Sequence, residues 1–131
     1  MAVLNMKASF QCDIQRVWEV VTSLDNYGWR SDLSKIEVID ERQFVEYTKE
    51  GYATKFSVTV KESCRRWEFD MENGNMKGHW TGIFIQNNGY TEVDFTEDVT
   101  AKKVFMKPFV KMYLKKQQVA YIQDLSKALG E

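Results

Sequence analysis

The sequence predicts an α+β chain in which a curved antiparallel sheet of about seven strands grips one long C-terminal helix, with one or two short helices after the first strand. Three observations predict it. Two Asn-Gly pairs, Asn73-Gly74 and Asn88-Gly89, punctuate an alternating stretch from Lys35 to Thr100. Counting out from both pairs places the large apolar side chains on a single face. Beyond that stretch, the only segment long enough to cover such a face is helical in its periodicity, from about Met106 to Leu129.

The elements follow in order. VLNMKASFQC alternates and suits a first strand, with Leu4, Met6, Ala8 and Phe10 on one side. Asp13 can cap a helix in which Ile14, Val17, Trp18 and Val21 share a face. LDNYGWR, from Leu24 to Arg30, reads as a turn or a second helix. A two-residue loop at Asn73-Gly74 sets Met71 against Met76, Phe69 against Gly78 and Trp67 against Trp80. The same loop at Asn88-Gly89 sets Phe84 against Val93, Gly82 against Phe95 and Trp80 against Glu97. The two independent counts agree on an inner face of Trp67, Phe69, Met71, Trp80, Phe84, Val93, Phe95 and Val99. Arg66, Glu68, Asp70, Lys77, His79, Asp94 and Asp98 fall outside. A third two-residue loop, at Glu50-Gly51, adds Val45, Tyr47, Thr54, Phe56, Val58 and Val60 to the inner face and leaves Glu46 outside opposite Lys55. In the last helix Pro108 occupies the first turn, where a missing N–H costs nothing, and Gly130 supplies the stop. Its expected apolar stripe is Phe109, Val110, Tyr113, Leu114, Gln117, Ala120, Tyr121, Leu125 and Ala128.

Composition narrows the function. The 131 residues suit one domain, residues 1–131, and 44% apolar with 28% charged residues excludes a disordered or fibrous chain. A net charge of -1 argues against nucleic acid as a partner. The charge is uneven: residues 101–131 hold seven lysines against Asp124 and Glu131. A wet helix face explains them, and the alternative is a membrane-surface role or a weak acidic partner at Lys107, Lys111 and Lys115. No run is long and apolar enough for a membrane span, and MAVLNMKASF is not expected to act as a signal peptide. Cys12 and Cys64 stand alone, so free thiols and a cytoplasmic location are expected. One histidine and two scattered cysteines offer no metal spacing, no glycine-rich phosphate loop is present, and no cofactor is expected.

Aromatic residues make up 14% of the chain, and they either fill a core or wall a cavity. Trp29, Phe56, Trp67, Phe69, Trp80, Phe84, Phe95, Phe109 and Tyr113 carry that ambiguity, and Val58 joins them on the inner face as a candidate ligand contact. Glu97 is the sharpest candidate, a carboxylate on the apolar face between Phe95 and Val99. It must be paired, reach the cavity mouth, or hold a raised pKa. Arg65 has inward parity opposite Gly82, and Tyr47 and Gln117 offer a hydroxyl and an amide from opposite walls. His79 lies in a row with Glu68 and Asp98 on the wet face with no nucleophile beside it, so no hydrolytic triad is supported.

The chain resembles the START-related SRPBCC superfamily, its small polyketide cyclase/dehydrase-like members above all. The resemblance is carried by FQCDIQRVWEVVTSLDNYGWRSDL, by GHWTGIFIQNNGYTEVDFTEDV and by the closing helix ending in DLSKALGE. It implies a helix-grip fold with a cavity between the long helix and the sheet that holds lipids, polyketides, hormones or other apolar molecules. The leading reading is a non-enzymatic binder or carrier of a small apolar or amphipathic, lipid- or polyketide-like molecule. The alternative is a cofactor-independent cyclase, aromatase or dehydratase using Glu97, Tyr47 or Arg65. A third reading is an interaction module like the superfamily's Hsp90 co-chaperone branch.

Overall fold

The computed structural model describes residues 2–131. Strand β1 (Ala2–Phe10) leads into α1 (Ile14–Thr22), whose first turn is capped by Asp13 accepting the Gln15 N–H at 3.2 Å. Leu24 to Arg30 is a loop rather than a second helix. Six strands follow: β2 (Leu33–Val38), β3 (Gln43–Thr48), β4 (Ala53–Glu62), β5 (Arg66–Glu72), β6 (Met76–Asn87) and β7 (Tyr90–Ala101). A single 3₁₀ turn, Val104–Met106, opens into α2 (Lys107–Ala128). The strands form one antiparallel sheet in the order β1-β7-β6-β5-β4-β3-β2, so β1 closes onto the last strand. This is the expected sheet folded around a C-terminal helix.

The three hairpins behave differently. At Asn88-Gly89 the register is the expected one, with Trp80 opposite Glu97 and Gly82 opposite Phe95. At Asn73-Gly74 the loop is longer, because the Asn73 side chain accepts the N–H groups of Asn75 and Met76 at 2.8 and 3.0 Å. Pairing begins only at Glu72 and Lys77, so Phe69 faces Trp80 and Trp67 faces Gly82. That slip is two residues, an even number, and every side chain keeps its face. The third loop slips by one. Gly51, at φ 86°, closes a three-residue turn between Thr48 and Tyr52, and Phe44 pairs with Phe56. An odd slip turns the strand over, so Phe44 and Glu46 face inward while Val45 and Tyr47 face outward. On β4 a bulge at Thr59 sets Val60 opposite Glu68, in the outer row.

The inner face carries a ladder of rings, one from each of five adjacent strands. Phe44, Phe56, Phe69, Trp80 and Phe95 follow one another at centroid distances of 4.9, 5.1, 4.9 and 4.9 Å. Gly82 belongs to this ladder: a Cβ there would overlap the six-membered ring of Trp80. Trp80 therefore fills the space beside Gly82. Phe84 continues the core toward α1, edge-on to Trp18 at 5.0 Å.

Helix α2 lies over β1 and β7 and buries Val110, Leu114, Gln118 and Leu125, with Tyr121 and Ile122 packed beside them. The stripe is rotated from the expected one. Phe109, Tyr113 and Gln117 are exposed, and Gln118 has taken the buried position. Val110 and Leu114 rest on Val99 and Ala101, which sets that line of the helix against the sheet and turns Phe109 away.

Candidate functional site

A cavity of about 190 Å³ lies between α2, the loop after α1 and the inner face of the sheet. Phe56, Trp67, Phe69, Trp80 and Phe95 wall it from the sheet, and Trp29 from the loop. Tyr113 and Gln117 stand on its more exposed side, where the Gln117 amide donates to the Tyr113 hydroxyl at 2.7 Å. Burial raises the pKa of the Tyr113 phenol, and the charges of Asp32 and Glu97 add to that shift.

Set into this wall is a polar group drawn from four elements: Arg30 and Asp32 from the loop, Glu46 from β3, Glu97 from β7, and Gln118 and Tyr121 from α2. Arg30 donates to Asp32 at 2.9 and 3.1 Å and to both oxygens of Glu46 at 3.3 Å. Burial alone would lower the guanidinium pKa, but Glu46, Tyr121 and Asp32 outweigh it and hold Arg30 charged. The guanidinium also lies over the Tyr121 ring, 5.0 Å from its centroid. The loop is anchored next to it, because Ser31 donates its N–H and its hydroxyl to Asp124 on α2 at 2.9 and 2.7 Å.

Glu97 is held differently. Burial pushes its carboxyl up to about 7; the Gln118 amide and the Arg30 charge moderate that rise, and the charge of Glu46 adds to it. Gln118 lies near enough to Glu97 for that influence, yet neither end of its amide closes a hydrogen bond at 5% exposure. The indole N–H groups of Trp29 and Trp67 are likewise buried without a partner. Burial raises the Tyr121 phenol as well, so it stays a neutral hydroxyl.

The structure gathers Trp29, Phe56, Trp67, Phe69, Trp80, Phe95, Glu97, Tyr113 and Gln117 around the cavity. Other candidates lie elsewhere. Tyr47 is on the outer face, its ring 4.6 Å from the Lys35 ammonium, because β3 is turned over. Arg65 is exposed in the turn before β5, where its carbonyl accepts the Phe84 N–H at 2.9 Å, so it cannot approach Glu97. Phe109 points away from the sheet, and Val58 and Phe84 pack into the core beside the cavity. His79 is on the outer face as expected, bonded to Asp70 at 2.7 Å and Glu68 at 2.8 Å. Sequence reasoning missed Arg30, Asp32, Glu46, Gln118 and Tyr121 as site residues. One signal was present: the two-residue loop at Glu50-Gly51 leaves Phe44 facing water, which an inward Phe44 and Glu46 would have resolved.

Among the described residues no group of three or more His, Cys, Asp or Glu side chains could hold a metal ion. No helix among the described residues is long and apolar enough to cross a membrane.

No protein-family model matches the chain, and no curated protein matches it. Solved structures do match. A START superfamily protein from Mycobacterium smegmatis superposes with a TM-score of 0.88 at 10% identity, covering 98% of this chain and 97% of its own. A conserved protein from Geobacillus kaustophilus superposes at 0.84 with 12% identity, covering 98% and 95%. A protein from Mesorhizobium loti superposes at 0.82 with 9% identity, covering 98% and 97%. Identities this low speak for architecture alone. With β1 paired to β7 at one edge of the antiparallel sheet and its long C-terminal helix over that sheet, the chain has the START-like helix-grip fold.

Proposed function

We propose that this protein binds and carries a small, uncharged, largely apolar molecule bearing a hydrogen-bonding head. The observation that carries the reading is the Gln118 amide, buried in an aromatic wall with its donor and its acceptor both unpartnered. Such a group is costly to leave unmet, and a ligand that meets it recovers that cost. The indole N–H groups of Trp29 and Trp67 ask for an acceptor such as a carbonyl, and the Gln118 oxygen asks for a donor such as a hydroxyl. A charged head is disfavoured. Arg30 already has Asp32 and Glu46, and an anion would meet Glu97 in a water-poor site. On size, a void of about 150 Å³ takes up benzene, so about 190 Å³ suits one or two fused rings or one end of a longer chain. The START-like fold of the matched structures supports a ligand-binding role. We place the carrier in the cytoplasm, where its unpaired thiols Cys12 and Cys64 stay reduced.

The test is uptake of an uncharged naphthalene-type fluorophore bearing a carbonyl or hydroxyl group, read by tryptophan quenching, together with native mass spectrometry of the purified protein. Quenching that the Gln118→Leu variant weakens is the expected result. No quenching and no co-purifying molecule would overturn the proposal.

One observation favours a second reading. Glu97, with its pKa near neutrality, faces the same cavity as a permanently charged Arg30, which is the pairing an acid/base step on a carbonyl compound needs. This is the cofactor-independent cyclase or dehydratase alternative. Turnover of a polyketide-like substrate that Glu97→Gln abolishes, while fluorophore uptake persists, would establish it over simple carriage.

A further inference from the structure

The N-terminal half of α2 is apolar on two sides. One side packs on the sheet through Val110 and Leu114. The other faces away, yet carries Phe109 at 62% exposure and Met112 at 67%, and Val119 continues the line at helical spacing. The 3₁₀ turn before the helix adds Val104 and Phe105, the latter 73% exposed. Isolated exposed apolar residues need no explanation, but a contiguous set this large on one element marks a contact surface.

Beside the apolar strip runs a cationic one. Lys107, Lys111 and Lys115 succeed each other at intervals of four, and Lys103 and Lys116 flank them. Lys102 is tied to Glu72 at 2.6 Å, but among the described residues the other five enter no ion pair. No acidic residue occurs between Asp98 and Asp124, so nothing on this element offsets their charge.

We propose that this surface docks on an anionic lipid bilayer, with Phe105, Phe109 and Met112 entering the headgroup boundary and the lysines meeting anionic headgroups. An apolar strip parallel to a lysine row along one helix is the layout of a helix lying in the interface plane. Pairing with a second copy of the chain would oppose five unneutralised lysines to five more, whereas an anionic surface neutralises them. The contact is interfacial, since α2 does not meet the requirements of a membrane span. Tyr113 and Gln117, on the exposed side of the cavity, adjoin the same strip, so the docked protein would turn that side toward lipid.

Vesicle co-sedimentation tests the proposal with the protein free of added ligand, so its outcome is independent of what the cavity holds. Phosphatidylcholine vesicles containing phosphatidylglycerol are compared with pure phosphatidylcholine, over a salt series. Binding to the anionic vesicles alone, weakening with salt, is expected. Lys107→Glu, Lys111→Glu and Lys115→Glu together should weaken it by roughly 100-fold or more. Phe105→Ser with Phe109→Ser should also weaken it while leaving circular dichroism and fluorophore uptake unchanged. Absence of binding, or binding that these variants leave intact, would overturn the proposal. So would a dimer in sedimentation equilibrium that Phe109→Ser dissociates, which would assign the strip to a second copy.

Discussion

Arg30 and Glu46 meet at 3.3 Å in the cavity wall and tie the loop after α1 to strand β3, two segments that no backbone ladder joins. Both side chains are largely buried, at 14% and 15% exposure. Removing one partner leaves the other charge in a poorly solvated place, and Asp32 offsets only part of the loss. Glu46→Ala should therefore cost about 3 kcal/mol in urea unfolding at neutral pH. A change near the surface-pair range of about 0.5 kcal/mol would show that solvent screens the pair.

Stability should depend on pH through Glu97. Its carboxyl ionises near 4.5 when unfolded and near 7 when folded, so the folded chain holds the proton more tightly. Its contribution is present in full below 4.5, is lost as pH rises from there to about 7, and is flat beyond. The full loss amounts to about 3 kcal/mol. Glu97→Gln should remove this slope in urea unfolding across that window, and a slope that persists would exclude Glu97 as its source.

His79 gives a second slope in a different window. Burial alone would lower its pKa, but the hydrogen bonds to Asp70 and Glu68 prevail and raise it above 6.5. Its stabilisation is complete below 6.5 and disappears as pH rises through the higher folded value. The group is partly solvated, so the effect is small. Nuclear magnetic resonance titration should find an imidazole pKa above the ordinary value, brought back toward it by Asp70→Asn with Glu68→Gln.

The fold was legible where local chemistry has one outcome. Asn88-Gly89 supplies an ordinary two-residue turn with Gly89 at φ 79°, and the whole β6–β7 register followed from it. Asn73-Gly74 looks the same in sequence, but the Asn73 side chain captures two backbone N–H groups and lengthens the loop. The even slip kept Trp67, Phe69 and Trp80 on the cavity face, so the aromatic wall was still found. At Glu50-Gly51 the slip was odd, and that single residue exchanged Tyr47 for Glu46 in the site. Arg30 was out of reach for another reason. It sits in an aperiodic loop whose position depends on Ser31 bonding to Asp124, 93 residues away, a tertiary contact that no local pattern encodes.

Gly82 should resist substitution although it touches no cavity. The Cβ of Gly82→Ala would fall on the Trp80 ring, with Phe95 closing the other side at 3.3 Å. Trp80 can yield only toward the cavity, because Phe69 stacks on it at 4.9 Å. Overpacking of this kind costs about 1–3 kcal/mol, and the displaced indole occupies ligand space. Gly82→Ala should therefore lower both the unfolding midpoint and fluorophore uptake. Loss of stability with unchanged uptake would mean that Trp80 moves elsewhere.

Gln118 should show the opposite coupling, stability against binding. In the unliganded protein its amide is buried with both ends unmet, a penalty of about 1–3 kcal/mol. Leucine has nearly the same reach, carries no polar atoms, and would share the cavity lining with Trp67, Phe95 and Leu114. Gln118→Leu should thus raise stability by about 1 kcal/mol or more in urea unfolding. The same change removes the groups that recognise the ligand's head, so affinity for a hydroxyl- or carbonyl-bearing probe should fall while that for a plain hydrocarbon analogue holds. A wild-type side chain less stable than its replacement is what a binding role predicts, because only the ligand completes its hydrogen bonds. If Gln118→Leu destabilises instead, the amide is already satisfied within the protein, and the argument for a ligand with a polar head loses its main support.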